Sequence, residues 1–92
     1  MSIVEFTNDN FHVLAYLYDN MDPSRLVKIT QQEVSDALGI SRVTINKIFK
    51  QLKESGYITQ DTTKVGRYYI TDASVCVVES FSSLRRRRIY NG

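Results

Sequence analysis

The stretch TQQEVSDALGISRVTINKIFKQL, residues 30–52, decides the fold because it contains the start of one helix, its end, and the start of another. Thr30 and Glu33 form a capping box, in which each side chain can bond the backbone N–H of the other residue. Gly39 can adopt the left-handed conformation that ends a helix, and Ser41 can cap the next one. The stretch therefore predicts two helices joined by a tight corner.

The second helix, which continues from Ser41 toward Gly56, is predicted to have two different faces. Successive residues are rotated by about 100° around a helix, so spacing determines which side chains share a face. The apolar face carries Ile45, Ile48, Phe49 and Leu52, and the other carries Val43, Asn46, Lys47 and Lys50. One face can pack in a core while the other stays exposed.

A further helix is predicted before this stretch. The apolar residues between Phe11 and Met21 recur at helical spacing, which predicts a helix over residues 9–21 with Asn8, Asp9 or Asn10 as its N-cap. Pro23 disfavours a helical conformation in the residue before it, so Asp22-Pro23-Ser24 should end the helix.

Strands and one more helix are predicted in the rest of the chain. β-forming residues indicate a short strand over residues 25–29 and a hairpin with strands at residues 57–59 and 67–71. Thr71 or Asp72 can cap a last helix over residues 73–88, although the run at 75–78, with three β-branched valines, is β-prone and disfavours it.

Composition indicates one folded, soluble domain. The chain has 92 residues, of which 42% are hydrophobic and 24% charged, close to the averages for globular domains. We expect one domain over residues 1–92, a cytoplasmic location and no membrane segment, because no long apolar run or secretion signal appears. The single cysteine, Cys76, fits a reducing compartment.

Charge is unevenly distributed along the chain. Residues 1–23 carry four acidic side chains and no Lys or Arg, whereas residues 42–67 carry six basic and two acidic side chains. A block of four arginines follows at residues 85–88. This asymmetry indicates a polyanionic partner or a solvated charged face. The arginines alone fit a solubilising end, a phosphate clamp, a dimer contact with the acidic first helix, or a favourable interaction with the helix dipole.

The middle of the chain, about residues 10–72, closely resembles the winged helix-turn-helix family of DNA-binding domains, of the MarR and Crp type. Gly39 stands at the turn, residues 52–58 match the segment leading to the wing, and Ser35 departs from the more usual alanine. The apolar positions of the motif are occupied by Val34, Leu38, Ile40, Ile45 and Ile48. The resemblance implies a mostly α fold with a small β-hairpin wing: a three-helix core, then a C-terminal helix and basic tail over residues 73–92.

The resemblance implies a sequence-specific regulator of transcription, prokaryotic, that binds double-stranded DNA. The recognition helix, residues 41–54, would enter the major groove, which admits one α-helix, and the wing, residues 57–71, would meet the flanking backbone or minor groove. Base contacts are expected from Ser41, Arg42, Val43, Thr44 and Asn46, and phosphate contacts from Lys47, Lys50, Lys64 and Arg67.

A domain this small usually reads DNA as a pair, so a homodimer is expected. The first and last helices remain to build its interface, with Phe81, Leu84 and Tyr90 as candidates. Two other hypotheses stay open: a winged helix that binds proteins, and a DNA-binding protein of plasmid or phage replication, partition or recombination.

Catalysis and cofactors are not expected. His12 has no second ligand at metal spacing, and Cys76 has no neighbouring base or positive charge to activate its thiol. Paired carboxylates, a glycine-rich phosphate loop and a nucleophile triad are missing from the sequence, and no small-molecule ligand is evident. We therefore expect a protein that is not an enzyme and that needs no metal or cofactor.

Overall fold

A computed structural model describes the backbone of residues 8–91 and the side chains of residues 9–81. Within this range four helices combine with one three-stranded antiparallel sheet. The elements are α1 (Asn8–Asp19), β1 (Leu26–Lys28), α2 (Gln31–Leu38), α3 (Arg42–Glu54), β2 (Ile58–Gln60), β3 (Arg67–Ile70) and α4 (Asp72–Asn91). The predicted fold class, mostly α with a small β-hairpin, is confirmed.

The predicted corner between α2 and α3 is present. Thr30 Oγ1 accepts from the backbone N–H of Glu33 at 3.1 Å, and the Glu33 carboxylate accepts from the Thr30 N–H at 3.2 Å. Gly39 ends α2 in the left-handed region, with φ of 66°. Ser41 caps α3 by accepting from the Thr44 N–H at 3.2 Å. Each cap uses the residue that the sequence predicted.

Ser35 holds the corner closed. Its hydroxyl donates to the backbone carbonyl of Ile40 at 2.5 Å, and its own carbonyl accepts from the N–H groups of Gly39 and Ile40 at 2.9 and 3.3 Å. Alanine at this position would leave the Ile40 carbonyl without the hydroxyl donor. The serine is therefore a bonding group as well as a small side chain.

The sheet joins three strands in the order β1-β3-β2, so β1 adds to the predicted hairpin. β3 lies in the centre, with Leu26 opposite Tyr69 on one side and Ile58 opposite Ile70 on the other. Beyond β1, the Ile29 N–H donates to the Gly66 carbonyl at 2.9 Å. This bond attaches the hairpin loop to the segment that leads into α2.

The core lies where α1, α2 and α3 meet the sheet. Phe49 is fully buried and packs edge-on against Tyr68, with ring centroids 4.9 Å apart. The other fully or almost fully buried apolar residues include Val13, Leu14, Leu17, Val27, Val34, Ile45, Ile48, Leu52, Ile58 and Ile70. Leu38 and Ile40 pack against this core with partial exposure. The apolar face predicted for α3 is therefore buried throughout.

The expected N-cap of α1 is wrong. Asn8, Asp9 and Asn10 all lie inside the helix, and the Asn10 side chain is 8% exposed. Its amide donates to Gln51 Oε1 of α3 at 3.1 Å, so it connects two helices instead of capping one. α1 also ends at Asp19, two residues earlier than expected.

The β-branched run in α4 is helical. Val78 is buried and Val75 is half-buried against the core, so packing outweighs the intrinsic β preference of these residues. The Thr71 hydroxyl donates to the carbonyls of Gly56 and Tyr57, at 2.8 and 3.2 Å. These bonds tie the helix start to the end of α3. Thr71 directly precedes α4 and its carbonyl accepts from the Val75 N–H at 3.2 Å, so it occupies the predicted N-cap position.

Two side-chain pairs join α4 to α1. Phe11 and Phe81 are in ring contact, with centroids 4.9 Å apart. The Tyr18 hydroxyl donates to the Glu79 carboxylate at 2.8 Å, and this hydrogen bond raises the pKa of the Tyr18 phenol above its ordinary value. Both pairs fix α4 beside the first helix.

We expect Ser35→Ala to destabilise the fold by about 0.5 to 1.5 kcal/mol, the usual net contribution of one hydrogen bond. The exposed Ser80 of α4 provides a matched control, because alanine there only improves helix propensity by about a few tenths of a kcal/mol. Urea unfolding of the wild type, Ser35→Ala and Ser80→Ala measures the difference. Equal stability of the two variants would show that the bond to Ile40 contributes nothing.

Candidate nucleic-acid interface

The outer face of α3 is exposed along its length. Arg42, Asn46, Lys47 and Lys50 are exposed, and the Val43 side chain is 80% exposed. The structure therefore brings together five of the nine predicted DNA-contacting residues on one helical face. The long basic side chains, with the exposed apolar side chain of Val43 among them, form a surface suited to the sugars, phosphates and base edges of a nucleic acid.

Ser41 and Thr44 form the cap at the start of this face. Besides accepting from the Thr44 N–H, the Ser41 hydroxyl donates to Thr44 Oγ1 at 2.9 Å. The Ser41 hydrogen is thereby used within the helix, whereas Thr44 keeps its own hydroxyl hydrogen as a donor. Of the two predicted contacts, Thr44 retains more hydrogen-bonding capacity.

Two glutamines from the first turn of α2 lie against the exposed face of α3. Gln31 Oε1 accepts from the Asn46 amide at 3.1 Å, and Gln32 Oε1 accepts from the Arg42 guanidinium at a longer 3.4 Å. Neither residue was predicted from the sequence. Their position directly after the Thr30 cap was the available signal, since the start of α2 packs across α3 in this motif.

Lys53 departs from the outer face of α3. Its ammonium group donates to Gln60 Oε1 at 2.9 Å and so joins the end of α3 to β2. Lys47 and Lys50 remain as the exposed cations in the middle of the helix. They are placed for contacts with phosphates.

The wing is the loop between β2 and β3, residues 61–66, together with those two strands. Asp61 Oδ1 accepts from the N–H and the hydroxyl of Thr63, at 2.9 and 2.5 Å, which forms a tight turn. The Thr63 hydroxyl is the main reason that the pKa of the Asp61 carboxyl is lowered. Lys64 is exposed, and Val65 is 95% exposed, so the loop presents both a cation and an apolar side chain.

Arg67 lies at the base of the wing, opposite Lys28 in the β1–β3 pairing. Like charges directly opposite on a sheet are unfavourable. Here the Asp22 carboxylate interacts with Lys28 and the Asp61 carboxylate with Arg67, which reduces that cost. Lys28 was not predicted from the sequence, because only the strand register places its charge beside that of Arg67. With Lys64, the pair forms a basic wing cluster: Lys28, Lys64 and Arg67.

The residues expected at a dimer interface are only partly described. Phe81 is 40% exposed and contacts Phe11 within the chain. Leu84, Tyr90 and the arginines at 85–88 lie outside the residues whose side chains the structure describes. His12 and Cys76 are both exposed.

Metal-binding clusters and membrane-spanning helices are both missing from the part of the chain that the structure describes. No group of three or more His, Cys, Asp or Glu residues there could hold a metal ion. Among the same residues, the helices are too short or too polar to cross a membrane.

A helix pair with a tight corner, followed by a strand-loop-strand wing on a small sheet, defines a winged helix-turn-helix domain. The pattern of the Crp-like helix-turn-helix domain family matches residues 11–74. The chain belongs to this family. No curated protein sequence shows significant similarity to it.

Solved structures share the fold. MepR, a transcription regulator of the Staphylococcus aureus multidrug efflux pump MepA, has a TM-score of 0.73 and 23% identity over 96% of this chain. The S. aureus MepR–DNA complex has a TM-score of 0.71 and 22% identity, also over 96% of this chain. A MarR family protein from Bacillus stearothermophilus has a TM-score of 0.75 and 19% identity over 94% of this chain. The chain spans 63%, 63% and 58% of the lengths of these three solved chains.

We expect the wing turn to loosen as the pH falls through the lowered pKa of Asp61. A carboxyl with a lowered pKa contributes its full stabilisation above its unfolded-state pKa of about 4. This stabilisation is lost as the pH falls from that value through the lowered pKa of the folded state. The amide resonance of Thr63, followed by NMR from pH 6 downward, should report this change.

The readout must be specific to one residue, because the Ser24 hydroxyl lowers the pKa of Asp22 in the same way. Asp61→Asn keeps an oxygen acceptor without the titration, so it should remove the change at Thr63. A Thr63 titration that is the same in Asp61→Asn and wild type would contradict the assignment.

Proposed function

We propose that this protein is a sequence-specific, double-stranded-DNA-binding transcription regulator that inserts α3 into the major groove. The observation that carries the proposal is the division of α3 into a buried apolar face and an exposed face with Arg42, Asn46, Lys47 and Lys50. A B-DNA major groove is about 12 Å wide and admits one helix presented in this way. Membership in the Crp-like helix-turn-helix family and the fold shared with MepR support it.

Base reading is assigned to the first turns of α3. Arg42 can donate two hydrogen bonds to guanine O6 and N7, and Asn46 can pair with adenine N6 and N7. The exposed methyl groups of Val43 can contact a thymine methyl, and Thr44 can donate from its hydroxyl. Ser41 orients this turn through its bonds to Thr44.

Backbone contacts are assigned to the lysines of α3 and to the wing. Lys47 and Lys50 would neutralise phosphates along the groove wall, which gives affinity and salt dependence without sequence choice. The basic wing cluster would meet the flanking backbone or minor groove, where its cations would neutralise phosphates.

A homodimer in the cytoplasm completes the proposal. Two copies on a two-fold site would read twice as many bases as one, and α1 and α4 are the elements outside the DNA-facing surface that can form the interface. Phe81, Leu84 and Tyr90 are proposed to contribute to it. The proposal includes no catalytic step, metal or small-molecule ligand.

We expect Arg42→Ala and Lys47→Ala to weaken DNA binding in different ways. Arg42→Ala should cost about 1 to 3 kcal/mol at a preferred duplex and much less elsewhere, because a base contact is lost. Lys47→Ala should weaken all duplexes similarly and reduce the salt slope by about one, because a phosphate contact is lost. Fluorescence anisotropy with selected and scrambled duplexes at several salt concentrations measures both effects.

The exposed Ser80 of α4 provides a control outside α3 and the wing. Ser80→Ala should leave both the affinity and the salt slope nearly unchanged. If the wild type shows no salt-dependent binding to any duplex, the proposed function is wrong. An Arg42→Ala loss that is equal on every duplex would remove Arg42 from base reading.

We expect the sedimentation coefficient to rise with protein concentration as monomers pair. Leu84→Asp should hold the protein in the monomeric form, because a carboxylate at an apolar contact would have to be desolvated. Ser83→Asp introduces the same charge one position away and should still dimerise. A wild-type monomer at every concentration would contradict the dimer proposal.

A further inference from the structure

We propose that Gln31 is a positioning residue that sets the base preference of Asn46 by holding its side-chain amide in one orientation. The proposal rests on the proposed function, because it concerns how the exposed face of α3 would read DNA. Gln31 lies at the start of α2, 15 residues before Asn46, and is half-buried. Its amide oxygen accepts a hydrogen from Asn46 Nδ2 at 3.1 Å.

This contact divides the hydrogen-bonding groups of Asn46 into used and available ones. An asparagine amide has two N–H donors on nitrogen and one oxygen acceptor. In the proposal Gln31 takes the N–H that points away from the amide oxygen, so the N–H beside the oxygen and the oxygen itself remain. Because the amide is planar, fixing one N–H also fixes the directions of the other two groups.

One free N–H beside the free oxygen of Asn46 matches the hydrogen-bonding groups that adenine presents in the major groove. In the major groove, adenine presents an N6–H donor and an N7 acceptor, whereas guanine presents two acceptors, O6 and N7. An unrestrained asparagine can turn so that both of its N–H groups face the two guanine acceptors. Since Gln31 occupies one N–H, that alternative is lost and adenine is favoured.

Burial supports a positioning role for Gln31. Asn46 is exposed, whereas Gln31 is half-buried where α2 crosses α3. The more restrained side chain therefore orients the less restrained one. The neighbouring Gln32 has different partners, Arg42 and Asp36, which makes it a matched control on the same helical turn.

The first experiment uses selection from a duplex pool with a randomised core, sequenced before and after binding. Wild type, Gln31→Ala, Gln32→Ala and Asn46→Ala are compared. We expect Gln31→Ala to reduce the adenine-over-guanine preference about three- to tenfold at the one base step that Asn46→Ala also affects, the range expected for one hydrogen bond. Gln32→Ala should keep that preference.

Two further variants separate positioning from a general loss of structure. Gln31→Glu keeps an acceptor for Asn46, so the adenine preference should remain while the added negative charge lowers affinity for all duplexes. In the double variant Gln31→Ala/Asn46→Ala, the base preference should equal that of Asn46→Ala alone. An additive loss in the double variant would overturn the proposal.

The second experiment tests the contact in the protein without DNA. The side-chain amide resonances of Asn46 should shift in Gln31→Ala and stay in place in Gln32→Ala, as measured by ¹H–¹⁵N NMR. Unchanged Asn46 resonances in Gln31→Ala would overturn the proposal whatever the DNA result.

The outcomes distinguish this inference from the proposed function. Absence of salt-dependent binding by the wild type refutes the proposed function and the inference together. Sequence-specific binding with the same adenine preference in Gln31→Ala and wild type refutes only the inference.

Discussion

The corner between α2 and α3 is the constraint on which the rest of the structure depends. Three hydrogen bonds converge there on Ser35, two to its carbonyl and one from its hydroxyl, while Gly39 reverses the chain with a positive φ. Ile40 can then pack on the core and Ser41 can start α3 immediately. With the corner fixed, the direction of α3 and the face that it exposes are fixed as well.

Much of this arrangement could be predicted because it is local in sequence. The capping box at Thr30, the left-handed Gly39 and the two faces of α3 each depend on residues within a few positions of one another. Local patterns were less reliable where packing decides the conformation. The run at 75–78 is helical because Val75 and Val78 are packed on the core, and Asn10 bonds to Gln51 instead of capping α1.

The features that the sequence could not predict depend on pairs of residues that are far apart along the chain. The addition of β1 to the hairpin brings Lys28 opposite Arg67, a charge pair that no periodicity indicates. Gln31 reaches Asn46 only because α2 crosses α3 at the angle set by the corner. The candidate site was thus predictable as a list of exposed residues on α3, but its neighbours, which limit how those residues can act, came from the tertiary structure.

The bond from the Ile29 N–H to the Gly66 carbonyl has a consequence for the length of DNA that one domain would cover. Ile29 directly precedes the Thr30 cap of α2, and Gly66 closes the wing, where an added Cβ would lie 3.3 Å from the Ile29 oxygen. The helix pair and the wing are therefore held at a constant separation. Under the proposed function, the number of base pairs between the major-groove contacts and the flanking contacts would be invariant, so binding sites could differ in sequence but not in this internal spacing.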